Sequence, residues 1–357
     1  MPVYIKFLLK LFLSSFLNIF LIFFFITIII SLLEQFDFFK EANFTFSYLI
    51  FLSFLNAPSI IFEMLPFIFL ISTQVFFIKL IDSNELEIFK YSGLNNFNII
   101  KHIGIFSFIL SLFLMIFFYN LSSLMKNGYL EIKNRYSSDQ KYLAVVTENG
   151  FWIKDEIDTQ INIINAGMID GQYLTNVVIT QFDENYNFLR TLQSPKVDIS
   201  SAKWEMLDVK ISMNGKTGIQ DKLQFLSSFD FKKINSLFSN LSSLTIYDLI
   251  KLKNIYKSLN YSTVDLDSHL LKITMYPIYL TLITILSAII MFSIGYKKNT
   301  LYKIILGIFL SVVIYYINYF FNVLGTTEKI PVLLSIIFPL ILLAIISTIS
   351  IIRLNEK

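Results

Sequence analysis

The sequence predicts an α+β membrane protein: six transmembrane helices with an antiparallel β domain, a sandwich or jelly roll, inserted between the third and the fourth. Three observations predict it. Six stretches are apolar over the roughly 20 residues that a spanning helix needs. The polar middle, residues 122–268, reads instead as short β-branched and aromatic runs broken by turn residues. And the chain of 357 residues is 55% hydrophobic with a mean hydropathy of +0.64, which would leave a soluble domain with far too much apolar surface.

The first apolar stretch, about residues 7–33, is too long for the core of a cleaved signal and lacks a small-residue cleavage pattern, so it reads as a retained helix. The others lie at about 59–81, 99–121, 270–294, 303–323 and 333–353. Pro66, Pro277 and Pro339 fall inside three of them, which membrane helices tolerate better than soluble ones. The domains are then residues 1–121, 122–268 and 269–357. Orientation follows from the basic residues near the helix ends. With the N-terminus inside, the cytoplasmic ends carry Lys6, Lys10, Lys79, Lys90, Lys101, Lys297, Lys298, Lys303, Arg353 and Lys357, against only Lys40 and Lys329 in the two short outer loops. Both termini are expected in the cytoplasm and the β domain outside.

Between the second and third spans, Asn84 can cap a short helix with Glu87 at its third position, and Gly93 suits a left-handed stop. A helix of about two turns does not persist alone. Leu86 and Phe89 would share a face, held either by the chain's own spans or by a docked partner. In the middle, Tyr142-Leu143-Ala144-Val145-Val146, Phe151-Trp152-Ile153, Ile161-Asn162-Ile163-Ile164, Val177-Val178-Ile179-Thr180 and Leu207 to Ser212 read as strands. Asn149-Gly150 and Asn214-Gly215 read as hairpin turns. Thr245 with Asp248 starts an amphipathic helix with Leu249, Leu252, Tyr256 and Leu259 on one face. That face is expected to pack under the β domain rather than on a membrane.

The chemistry carried by side chains is sparse. The net charge of +3 does not argue for nucleic acid, and the absence of cysteine removes disulfides and thiolate metal sites. His102 and His269 are too far apart in sequence for a convincing metal cluster, so no metal is expected. Gly215-Lys216-Thr217 lacks the upstream glycine of a phosphate-binding loop, because Lys210 stands there. No Gly-x-Ser-x-Gly element is present. Charges near membrane depth are costly and mark candidate substrate paths: Glu34, Lys40, Glu63 and Lys272. Snorkelling to the interface is the competing explanation, strongest for Glu34 and Lys272.

Several motifs, in order, resemble one family. They are Pro58 and Leu65-Pro66; Asn84-Glu85-Leu86 and Ser92-Gly93; Phe151-Trp152-Ile153-Lys154-Asp155; Lys272 with Pro277; and Leu324-Gly325, Ile330-Pro331 and Phe338-Pro339-Leu340. Together they resemble the lipopolysaccharide-export permeases LptF and LptG over essentially the whole chain, the C-terminal stretch resembling the G type. The resemblance implies a non-catalytic permease subunit of an ABC transporter in the bacterial inner membrane, with no cofactor bound directly. It implies a second, homologous permease as heterodimer partner and a cytoplasmic ABC ATPase dimer that uses ATP. It also implies periplasmic β-jelly-roll partners, a bridge protein and a membrane-anchored one, that receive lipopolysaccharide for export to the outer membrane. Glu85, Leu86, Phe89 and Gly93 would form the coupling segment in the ATPase groove. The family often places a basic residue near the outer end of the first span, where this chain has Glu34 with Lys40 just beyond. The alternative is a mechanotransmission-type ABC permease acting on a lipoprotein or another envelope lipid. Such permeases usually have four spans. An enzyme modifying envelope lipids would need clustered acid–base residues at one membrane face.

Overall fold

A computed structural model describes residues 2–40, 45–136, 151–157, 160–213, 215–231, 233–234, 240–258, 261–293 and 300–355. The expected strand at Tyr142-Leu143-Ala144-Val145-Val146 and the Asn149-Gly150 turn lie outside the described residues, as do Asn214, Leu259, Lys297, Lys298 and Lys357. The chain forms two compact units, residues 1–126 with 264–357, and residues 127–263.

The first unit is helical. It contains α1 (Val3–Phe38), α2 (Phe46–Asp82), the short α3 (Glu85–Tyr91) and α4 (Asn96–Phe113). A π-helical turn, Leu114–Phe118, carries α4 directly into α5 (Tyr119–Tyr136). After the second unit come α7 (Val264–Ser293), α8 (Thr300–Thr326) and α9 (Val332–Asn355). The helical stretches Val3–Phe38, Phe46–Asp82, Asn96–Lys133, Val264–Phe292, Ile304–Thr326 and Val332–Leu354 are each long and apolar enough to cross a membrane. Two of them differ from the hydropathy reading. The second starts at Phe46 rather than near residue 59, because its first turns pack on α1. Phe46 stacks on Phe36, Phe54 meets Phe24 edge-on, and Asn56 Nδ2 donates to Ser31 Oγ at 3.2 Å. The third does not stop near residue 121 but runs on to Tyr136, so Lys126 belongs to a helix and not to the β domain.

Two prolines interrupt α2. Pro66 has no N–H to give the carbonyl of Phe62 four residues back. Tyr276 of α7 supplies the missing donor, its hydroxyl bonding Phe62 O at 2.6 Å. The proline thereby becomes a point of attachment between two central helices, as neighbouring helices commonly provide in a bilayer. Around it, Phe16, Ile61, Leu65, Phe69, Leu114 and Leu280 form one buried cluster. α2 and α7 are the most enclosed spans, and α1 and α8 the least.

The second unit is built on one antiparallel sheet: β1 (Phe151–Ile157), β2 (Gln160–Ala166), β3 (Met168–Asp170), β4 (Tyr173–Asp183), β5 (Phe188–Asp198), β6 (Lys203–Met213) and β7 (Lys216–Leu226). The strands follow the order β1-β2-β4-β5-β6-β7, with β3 also on β4. Among the described residues this is a meander in chain order. The enclosure expected of a sandwich arises differently. Extending the register places Gly167, Asn176, Pro195, Asp208 and Asp221 in a row across the strands. Asn176 and Asp208 have φ of 49° and 50°, a left-handed backbone inside a strand. At this row the inward alternation slips by one: Leu174 then Val177, Ser194 then Val197, Met206 then Val209 are the buried positions. The sheet is creased there, the corner device of bent strands. Residues from both sides of the crease enter a single core with Trp204 and Phe229 at 0% exposure.

Thr245 and Asp248 cap α6 (Ile246–Ser258) reciprocally, Asp248 N donating to Thr245 Oγ1 at 3.2 Å and Thr245 Oγ1 to Asp248 Oδ2 at 2.6 Å. Leu249 and Leu252 are buried, and Tyr256 packs against the core of the sheet, as expected from its periodicity. Just beyond, the Tyr261 hydroxyl accepts from Lys154 N and donates to Lys154 O, both at 3.0 Å. It thus covers an outward-pointing pair of backbone groups on β1. Tyr261→Phe should raise the amide exchange rate of Lys154 by about tenfold, near the value of one net hydrogen bond. An unchanged rate would show that the hydroxyl protects nothing. Burial pushes the Tyr261 pKa up to about 12. A raised folded-state value means this latch is intact below about pH 10, the ordinary tyrosine value, and is lost as pH rises toward 12.

Candidate functional site

Two places in the helical unit gather the residues singled out from sequence. The first is α3. Gly93, at φ +85°, stops it as expected, with Gly93 N bonding Lys90 O and Leu94 N bonding Phe89 O, both at 3.0 Å. The expected N-terminal cap is absent. Asn84 is itself left-handed at φ 55° and makes no side-chain cap, because the chain reverses there directly out of α2. Asn95 caps instead, accepting from Asn98 N at 2.8 Å to start α4. Leu86 is 1% exposed among Leu8, Phe77, Leu80 and Ile99. Phe89 is half-buried against Phe7, ring centroids 6.1 Å apart. The face shared by Leu86 and Phe89 therefore seats α3 on the spans. What points outward is the next face: Ile88 is 59% and Tyr91 88% exposed. Glu85, Ile88, Phe89 and Gly93 line an open groove with Val3, Tyr4 and Phe7 of α1.

The second place lies where α2, α5 and α7 meet. The Phe62 ring packs on Tyr119 at 5.1 Å and on Tyr276 at 4.8 Å. A hydrogen bond of 3.1 Å joins Tyr119 Oη and His269 Nε2. This clasp fixes the charged residues around it. Glu63 follows Phe62 on α2, Lys272 lies between His269 and Tyr276 on one face of α7, and Lys126 is two turns beyond Tyr119. Lys126 interacts electrostatically with Glu63 and Glu34, and Lys272 with Asp265 and Glu63. His269 is within electrostatic reach of both lysines.

Of the candidates from sequence, Glu63 and Lys272 are thus within electrostatic reach of each other, and Glu34 and Glu63 each of Lys126. Lys40 does not join them and lies exposed in the turn after α1, next to Glu41, which is outside the described residues. Lys126, Asp265 and His269 were missed. The helical continuation through residue 126 was the signal that would have revealed Lys126, since it stands on the same face as Tyr119 at a spacing of seven. Chemically these residues offer ammonium groups and carboxylates within electrostatic reach of one another, with Glu34, Glu63, Asp265 and Lys272 exposed, suited to meeting an ionic head group. Among the described residues, no group of three or more His, Asp or Glu is placed to hold a metal ion.

The family model described as lipopolysaccharide export system permease LptF/LptG matches residues 6–353, nearly the whole chain. No curated protein matches the sequence. Members of the family are permease components rather than catalytic enzymes, and with six apolar helices the protein is a multi-pass protein of the inner membrane. The chain, with its apolar spans, inserted antiparallel sheet and end-to-end match, belongs to the LptF/LptG family of lipopolysaccharide export permeases.

Proposed function

We propose that the chain is one half of a heterodimeric permease, of the G type, that takes lipopolysaccharide from the inner membrane and passes it to periplasmic β partners. ATP would be hydrolysed by a separate cytoplasmic ATPase dimer. The observation that carries this reading beyond family membership is the cluster around the Tyr119–His269 clasp. On either side of that bond stand two cations from separate helices, Lys126 on α5 and Lys272 on α7, both within electrostatic reach of Glu63. A lipid with a phosphorylated head and acyl tails needs that combination. The basic residues on the α3 side, Lys6, Lys10, Lys79, Lys90 and Lys101, support a cytoplasmic location for α3 and the N-terminus. The exposed face of α3 supports ATPase docking.

The sparsely covered α1 and α8 support burial against a second permease. The sheet supports a β partner. β7 is the last strand of the meander and is exposed along almost its whole length, Ile219 to 81%. It would accept an added strand, whereas the outward backbone groups of Lys154 on β1 are taken by Tyr261.

The test is lipid retention. Lys126→Ala should reduce lipopolysaccharide photocrosslinked to the permease in membranes by roughly tenfold, the value of one charge-assisted hydrogen bond. Lys40→Ala, outside the cluster, should change it little. Undiminished crosslinking in Lys126→Ala would remove the cluster from the lipid path.

A further inference from the structure

We propose that the outward face of α6 lies on the membrane surface and binds the head groups of anionic phospholipid, anchoring the sheet unit to the bilayer. α6 has two faces. On one, Leu249 and Leu252 are buried, and Tyr256 packs on the core of the sheet. The opposite face carries Tyr247, Ile250, Lys251, Asn254 and Lys257, spaced as one stripe of a helix. Tyr247 is 75% and Ile250 50% exposed, and both lysines are exposed with them. Asp248, the only carboxylate in α6, is off the stripe and accepts from Thr245 Oγ1 at the cap. The stripe therefore joins two cations to two apolar side chains without an acid, the make-up of helices that lie in a lipid interface.

Chain length limits how far this stripe can be from the bilayer. Tyr261 N bonds Tyr256 O at 2.9 Å, which holds the exit of α6 against its last turn. Val264 begins α7 only three residues after Tyr261. Three residues reach at most about 10 Å. α7 is a spanning helix, and Asp265 and Asp267 in its first turn belong at the water end of the span, because charge is costly in hydrocarbon. The last turn of α6, with Lys257, is thus tethered within about 10 Å of where the chain enters the bilayer. Phosphates of the head-group layer are within reach of that tether without any partner protein. The lysine ammonium groups would meet them, while the lysine stems and Ile250 cover acyl carbon and Tyr247 sits at the polar–apolar boundary.

The chain has no cysteine, so Asn254→Cys places a single fluorescent label at the centre of the stripe. The full-length permease is reconstituted in nanodiscs containing phospholipid that carries a quencher just below its head group. In phosphatidylglycerol the label should be quenched. In phosphatidylcholine, or in phosphatidylglycerol with Lys251→Gln and Lys257→Gln, the ratio of quenched to unquenched label should fall by on the order of twentyfold, from roughly fivefold per lysine. Both substitutions are on the exposed face and leave the buried one intact. An unquenched label in phosphatidylglycerol overturns the proposal. So does quenching that is equal in both lipids and in the double variant, which would mean nearness to the bilayer without recognition of charge. A photocrosslinking amino acid in place of Asn254, in the assembled complex, separates the other occupant. Adducts with phosphatidylglycerol support the proposal, and adducts with a protein subunit in place of lipid overturn it and make the stripe a protein-docking face.

Discussion

Tyr91→Asp combined with Ile88→Asp is expected to strip the ATPase from the permease, lowering the amount recovered with it by about a hundredfold or more. The two side chains are the outward apolar residues of α3, at 88% and 59% exposure. An apolar side chain moved from water into an interface is worth roughly 1.5–3 kcal/mol, so the pair contributes at least two decades of affinity. The introduced carboxylates add a desolvation cost on docking. Because both residues point away from the spans, the double variant should still insert and fold. Phe89→Ala is the informative contrast. Its ring sits against Phe7, so its loss loosens the seat of α3 and should act through protease sensitivity of the segment 84–93 as well as through docking. Quantifying ATPase on the purified permease decides the matter: wild-type recovery with the double aspartate variant would reduce α3 to a structural turn.

Trp204→Ala should unfold the sheet unit while sparing the helical one. Trp204 is fully buried, its ring lies 5.8 Å from Phe225, and its Nε1 donates to Phe229 O at 2.8 Å. Truncating a buried Trp costs about 3–5 kcal/mol, a large share of the stability of an ordinary domain. Trp204→Phe keeps most of the apolar volume but leaves the Phe229 carbonyl without its donor, for about 1–3 kcal/mol. In membranes, added protease should cut Trp204→Ala within residues 127–263 much faster than wild type, Trp204→Phe at an intermediate rate, and the spans of all three alike. Equal resistance in Trp204→Ala would mean that the core does not depend on this ring.

Both expectations come from places where sequence and structure part. Periodicity put Leu86 and Phe89 on one face, and that was right. Whether the face meets a partner or the chain's own helices depends on where α1 and α2 lie, and helical spacing carries no information about that. The N-terminal cap expected at Asn84 failed for the same reason: the chain leaves α2 with Asn84 in a left-handed conformation, so its side chain is not in a capping position. Hydropathy found the apolar lengths but truncated α2 and the third span. A helix continues as long as its backbone bonds and packing are satisfied, and in the added turns of α2 Asn56 finds a side-chain partner in Ser31 of α1.

The sequence by itself determined the six spans, the inserted antiparallel sheet, α6 with its cap, and family membership. Each of these is written in local signals: apolar length, alternation, capping residues and ordered motifs. Only the tertiary structure decided that the sheet is a creased meander, because the crease needs Gly167, Asn176, Pro195, Asp208 and Asp221 aligned across strands that are far apart in sequence. It alone decided that Lys126 on α5 and Lys272 on α7 both come within electrostatic reach of Glu63 on α2. Electrostatic partners are chosen by distance in space, and here that distance is set by the bonds Tyr276 to Phe62 and Tyr119 to His269, between helices that no local pattern brings together.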